Sequence, residues 1–282
     1  MKDKFYTWSI LFLLVGCTSK TIDYEEIKSY QDNSVTALHA SADENTRVLL
    51  IFPHADDEIT CVGLTSYLKA KGATIHLLTL GHHPDTKIND TRIEELKCSS
   101  RKLGVEKLEI AGLIINKWDD IMKDNITFWY DQQDSIKKII ENKIKMYKPH
   151  ILITYDTEIG GYGHPEHRIS AQLTKDIFNE NKQDSTFTPK RIYQFTLPDK
   201  LEKFKLSDIP AYDYQMKLTG SKGLPKPDVA INIIEYWKIK NEVALCHESQ
   251  FKILNKFHMV ADQNDLEAHS KAFNKEYYTI IE

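Results

Sequence analysis

The feature that most constrains this chain is a set of apolar runs too continuous to be surface strands. Val48–Phe52, Thr74–Leu80 (TIHLLTL) and the run that starts at His150 (HILITYD) show no polar alternation. A strand that is apolar on both faces must be covered on both faces. The segments between these runs have helical character. Glu58–Ala70 ends near Gly72, Asp90–Leu103 ends at Gly104, and Ile136, Ile139, Ile140 and Ile144 recur at helical spacing before Pro149. Leu108–Ile110 reads as a short strand and His164–Phe178 as a helix. The expected class is α/β: a Rossmann-like, mostly parallel sheet with helices on both faces. Further on, Arg191–Leu197 reads as a strand, Lys200–Pro227 as irregular and Ile233–His247 as helical. The chain has no long Gly/Ser or Pro-rich linker, which predicts one domain over residues 46–282, preceded by a polar tether or lead-in over 18–45.

With 282 residues, 41% of them hydrophobic, the chain can bury a substantial core. A net charge of −4 with no dominant basic face gives no reason to expect a nucleic-acid partner, and no protein partner is indicated. The first residues stand apart. MKDKFYTWSILFLLVGC places Lys2 and Lys4 ahead of an apolar run of signal length, too short for a permanent span. Leu14-Val15-Gly16-Cys17 resembles the end of a bacterial lipoprotein signal. That resemblance implies that residues 1–17 are the signal and that Cys17 is lipidated. The protein would then be held at a membrane of the bacterial cell envelope by a lipid anchor; an ordinary cleaved signal or a simple anchor helix are the alternatives. Cys61, Cys98 and Cys246 remain, odd in number and without a CxxC pair. They are expected to be small buried hydrophobes, neither disulfide-bonded nor metal-binding.

The chemistry concentrates where two of the strands end. PHADDE (Pro53–Glu58) follows RVLLIF, and GGYGHPEH (Gly160–His167) follows HILITYD. In open α/β sheets, ligands bind outside the carboxyl ends of the strands. Three adjacent carboxylates without partners are costly to bury, although acids at a helix start are also favoured by free N–H groups and the dipole. His54 and Asp57 stand three apart across a turn, as do His164 and His167. Two neighbouring strand ends would therefore present four metal-binding side chains to one space. Gly160, Gly161 and Gly163 allow a sharp bend there.

RVLLIFPHADDE together with GGYGHPEH is similar to the PIG-L/LmbE-like deacetylases, zinc enzymes that remove the N-acetyl group from N-acetylglucosaminyl conjugates. TRIEELKCSSRKLGV (Thr91–Val105) looks like that family's Arg…Glu…Leu-Gly helix, and KNEVALCHESQ (Lys240–Gln250) like its late His-x-Ser-Gln segment. The resemblance implies His54, Asp57 and His167 as ligands of Zn²⁺, or of another divalent metal such as Fe²⁺. It implies Asp56 as general base and His164 as the group that polarises the carbonyl or steadies its oxyanion. Tyr162 and Arg92 would face substrate, an amino-sugar conjugate, and Glu58 would brace the helix start. The chain departs from the family at Ala55, where the family usually has Pro, and at Gly81–Asp85 (GHHPD). The latter is expected to be an exposed polar loop rather than a substrate contact.

Rival readings use the same side chains. His54, Asp56 and a distant His suit an iron oxygenase, but those triads favour β-barrels. A degraded, non-catalytic sugar-binding lipoprotein would have no need of Asp56. A metal-dependent hydrolase of another acyl or ester bond is barely separated from the deacetylase by sequence.

Overall fold

The structure, a computed structural model, describes residues 23–123, 127–261 and 265–282. The expected signal and Cys17 lie outside the described residues. In chain order the elements are α1 (Tyr24–Lys28), β1 (Thr36–Ala37), β2 (Arg47–Phe52), α2 (Val62–Ala70), β3 (Thr74–His82), α3 (Thr86–Leu103), β4 (Lys107–Ile114), α4 (Trp118–Ile121) and α5 (Thr127–Asp131). There follow α6 (Gln133–Tyr147), β5 (Ile151–Tyr155), α7 (Pro165–Asn181), β6 (Arg191–Thr196), α8 (Asp199–Leu206), α9 (Pro210–Thr219), β7 (Val229–Asn232), α10 (Trp237–Leu245), α11 (Phe251–Lys256), α12 (Leu266–Ala272) and β8 (Lys275–Ile281).

The strands form one sheet in the order β1-β7-β8-β6-β5-β2-β3-β4. Only β8 runs against its neighbours, β6 and β7. The continuous apolar runs are the sheet's centre. Along β2, Val48, Leu50 and Phe52 enter one core while Leu49 and Ile51 enter the other. The expected mostly parallel sheet with helices around it is what the chain forms. After β2 the chain builds outward through β3 and β4, then returns to place β5 on the other flank of β2. The carboxyl ends of β2 and β5 therefore flank the point where strand order reverses, the usual ligand crevice of such sheets.

Four local expectations need correction. The lead-in is folded from Asp23 onward: that residue caps α1 by accepting from the N–H groups of Glu25 and Glu26, Ile27 is buried, and β1 pairs with β7. Elements this short carry no readable period. The supposedly irregular 200–227 contains α8 and α9; Pro210 sits in the first turn of α9, where its missing N–H costs nothing. The segment expected as one helix from Glu58 begins instead as a 3₁₀ turn, Asp57–Cys61, which then passes into α2.

The fourth correction concerns the cysteines. Cys98 on α3 and Cys246 just after α10 form a disulfide across a sequence separation of 148, while Cys61 is free and buried. The even pairing was hidden because the partners are far apart in sequence. A second long-range tie supports the helix behind the site. Glu276 of β8 accepts from the N–H groups of Gly63 and Leu64 at the start of α2, both at 2.9 Å. Lys240 pairs with the same carboxylate at 2.6 Å. A buried carboxylate at a helix N-terminus neutralises unsatisfied donors and the positive dipole end.

Closing so long a loop restricts the unfolded chain, so replacing Cys98 and Cys246 by Ser should cost about 2–4 kcal/mol of stability. Urea unfolding of the oxidised protein and the double variant measures it, and equal midpoints would mean that the bond does not hold the fold.

Candidate active site

The site is built from the two loops at the reversal point. After β2, Pro53 and His54 leave the strand and the chain turns back through Asp56, whose φ of 95° lies in the left-handed region. After β5, the buried carboxylate of Asp156 gathers the N–H groups of Glu158, Ile159, Gly160 and Gly161. Gly161 has φ +72°, and a Cβ there would stand 2.7 Å from the Tyr155 ring, so only glycine fits. That ring is needed in place: it stacks on His167 with centroids 3.9 Å apart, and its hydroxyl donates to Asp57 Oδ1 at 2.9 Å.

The hydrogen bonds settle which nitrogen of each imidazole is available. His54 Nε2 lies 2.5 Å from Glu166 Oε2, and a carboxylate only accepts, so Nε2 carries the proton. His167 Nδ1 lies 3.0 Å from the Gly160 carbonyl and must donate to it. The remaining nitrogens, His54 Nδ1 and His167 Nε2, face each other at 3.0 Å. Asp57 completes the group, with Oδ2 3.5 Å from His54 Nδ1 and Oδ1 3.3 Å from His167 Nε2. Donors about 2.0–2.2 Å from a tetrahedral ion are separated by roughly 3.3–3.5 Å. These three side chains therefore fit a divalent ion of zinc type, with soft nitrogen donors and one carboxylate. The His54 hydrogen bond to Glu166 is the arrangement that fixes a ligand's tautomer and raises its basicity. His164 also falls within the cluster, its ligand atom within 4.8 Å of those of His54 and His167. Its Nδ1 accepts the Glu166 N–H at 3.3 Å as the cap of α7, which leaves its proton on Nε2.

The two adjacent aspartates sit in opposite environments. Burial works against the charge on Asp57, but His167 and His54 outweigh it and bring its pKa down to about 2. Burial raises Asp56 to about 6, against the pull of Arg92. Burial, with His54 and His167 alongside, holds His164 well below the ordinary histidine range, so it is a neutral donor.

A cleft of about 300 Å³ opens onto this group, lined by Asp56, Arg92, Tyr162 and His164 among others. His83 and Asn116 line it too, as do Ile88, Ile115 and Ile253. The expected exposed loop at Gly81–Asp85 is thus divided. Gly81 and His82 finish β3, His83 faces the cleft, and Asp85 caps α3. Arg92, expected to meet substrate, donates to the Ala55 carbonyl at 2.5 Å and to Asp56 Oδ2 at 3.1 Å. Glu58 is fully buried; its carboxylate accepts from the Asp56 N–H, Ser99 and His247.

Sequence reasoning missed Glu166, Asn116 and Tyr155, and it noted His247 only within the segment KNEVALCHESQ, without a role. Glu166 was visible as the acid between the two histidines of GHPEH. Asn116, which donates to Glu166 through its N–H at 2.8 Å and its side chain at 2.6 Å, arrives from the loop after β4 with no local signal.

The fold and the site together define a mostly parallel α/β protein with a candidate metal centre at its topological switch point. Residues 49–178, which include every expected metal ligand, match the model of the PIG-L family, GlcNAc-PI de-N-acetylase. A 1D-myo-inositol 2-acetamido-2-deoxy-alpha-D-glucopyranoside deacetylase from Thermobifida fusca is 24% identical over 269 residues, covering 83% of this chain and 92% of that protein. Of other curated relatives of that name, two from Corynebacterium glutamicum, the chain spans about half the length. Among solved structures, a deacetylase of the teicoplanin biosynthesis pathway superposes with a TM-score of 0.57 at 16% identity, over 84% of this chain and 98% of that one. A 4-carboxy-2-hydroxymuconate hydratase from Pseudomonas putida gives 0.52 at 13% identity, over 84% and 96%.

Replacing Glu166 by Gln keeps the shape but removes the charge that holds the His54 tautomer. Zinc affinity should fall about 10- to 100-fold, as for other lost outer partners of metal ligands. Competition with a chromophoric chelator reads this directly, and an unchanged affinity would show that the tautomer is set otherwise.

Proposed function

We propose that this protein is a zinc-dependent hydrolase that removes the N-acetyl group from an N-acetylglucosamine-type conjugate. The observation that carries the reading is the pairing of an open three-donor set, His54, Asp57 and His167, with a carboxylate beside it, Asp56, that belongs to none of the pairs holding that set. A site that only binds sugar has no use for such a carboxylate. The names of the relatives support an amino-sugar substrate, and the bond cleaved follows from them rather than from the fold.

His54, Asp57 and His167 would hold the ion. Bound there, zinc lowers the pKa of a coordinated water and polarises the acetyl carbonyl. Asp56, held by Arg92, accepts the proton of the attacking water. The neutral Nε2–H of His164 donates to the carbonyl oxygen as it gains charge in the tetrahedral intermediate. Tyr162 lines the same cleft and supports that oxygen or the sugar. His164 accepts the Glu166 N–H through Nδ1, which turns the proton-bearing Nε2 to the role of donor. Asp56, having gained a proton from water, is then the group with one to give to the departing amine. Acetate and the free amino sugar result.

Zinc-loaded protein should release acetate from at least one N-acetylglucosaminyl conjugate in a panel. Asp56→Asn should retain zinc and lose about 10²- to 10⁴-fold in turnover, the usual contribution of a placed base. No release from any member with zinc bound, or an undiminished Asp56→Asn, would sink the reading.

The work place proposed is the bacterial envelope, with Cys17 carrying the lipid anchor. The Cys98–Cys246 disulfide supports export, since such bonds persist in oxidising compartments. Among the described residues no helix is long and apolar enough to cross a membrane. Cells fed a clickable fatty acid should label the wild type and leave Cys17→Ala unlabelled; label on both would remove Cys17 from the anchor.

A further inference from the structure

Asp56 is useful only if its backbone stays where few non-glycine residues go. At φ 95° and ψ −20° it occupies the left-handed region, a strained conformation that surrounding contacts must sustain. Two contacts hold the turn from outside. Arg92 Nη2 donates to the carbonyl of Ala55 at 2.5 Å, and Glu58 Oε2 accepts the N–H of Asp56 itself at 3.0 Å.

Glu58 needs holding in turn. It is fully buried, and its other oxygen accepts from Ser99 Oγ and from His247 Nε2, the latter at 2.6 Å. Ser99 follows Cys98 in α3, and His247 follows Cys246 after α10. The disulfide thus joins the two backbone segments whose next residues both grip Glu58. Two residues beyond His247, Ser249 adds a further tie, donating to the Glu95 carboxylate through its N–H at 2.6 Å and its hydroxyl at 2.7 Å. His247 is itself fully buried.

We infer that His247 is a positioning residue for the base: by clamping Glu58 it keeps the Asp56 backbone in the left-handed turn that sends its carboxylate toward Arg92 and the cleft. The inference rests on the deacetylase reading for its effect on turnover, but not for its effect on structure. His247 reaches Glu58 from 189 residues away in sequence, in a segment that no local pattern near PHADDE reveals.

The test compares zinc-loaded His247→Ala and His247→Gln with wild type in the full chain. Gln retains a donor able to reach Glu58, and Ala does not. In His247→Ala, kcat should fall about 10- to 100-fold, the scale for lost outer partners of a metal site. KM and zinc content should stay within about twofold, and amide hydrogen exchange at Asp56 should quicken. His247→Gln should recover most of the rate and the slow exchange. Unchanged exchange and kcat in His247→Ala would overturn the inference. So would an equal loss in both variants accompanied by a fall in Tm, which marks a general packing role. A wild type that releases no acetate from any conjugate sinks the deacetylase reading alone, because exchange at the Asp56 amide still decides what His247 does.

Discussion

Everything near the site is arranged around two imidazole nitrogens that face each other at 3.0 Å with their protons turned away. Two imidazoles and a carboxylate so close in a dry space favour positive charge between them, and a divalent ion could supply it. The protein holds these donors from outside inward. Glu166 and the Gly160 carbonyl take the outer protons of His54 and His167, and Asn116 holds Glu166. Tyr155 fixes both a histidine face and an Asp57 oxygen. Each of these partners sits at or just beyond the end of β4 or β5, or at the start of α7. Holding this one set of donors together thus accounts for the local structure of three loops.

How far the sequence discloses this depends on the range of each interaction. The central strands and the HxxD and HxxH pairs are local patterns, and they stand where the sheet's reversal point puts them. Glu166 is local too, but its role depends on a histidine 112 residues away. The Cys98–Cys246 bond, the Glu276 cap on α2 and the His247 contact with Glu58 join segments more than a hundred residues apart and have no local signature. The same holds for β1, two residues long and visible only through its pairing with β7. α8 and α9 lie in a stretch where no period stands out in sequence, and only the structure shows Pro210 opening α9 and Gly220 closing it.

The fold alone does not choose a reaction. A hydratase and a deacetylase superpose on this chain with TM-scores of 0.52 and 0.57, both at low identity, so chemistry has to be argued from the side chains. What separates hydrolysis from mere binding here is the difference between two neighbouring aspartates. Asp57 is gripped by two imidazoles, a tyrosine hydroxyl and the His54 N–H, which favour its charged form. Asp56, one residue earlier, is paired with the Arg92 guanidinium in a buried setting that disfavours charge. Paired carboxylates pushed apart in this way are how one site obtains a fixed anion and a mobile proton.

That separation is a product of backbone geometry. Successive side chains in a regular turn would share one environment, and two adjacent carboxylates would then compete for the same cation. Placing Asp56 in the left-handed region turns its side chain toward Arg92 and the cleft while Asp57 turns inward to the imidazoles. The strained turn is sustained by Glu58, the third acid of the run, whose carboxylate ties the Asp56 N–H to α3 and to the chain after α10. Three consecutive acids thus do three separate things, because one unfavourable φ sends the first away from the second and the third holds that φ in place.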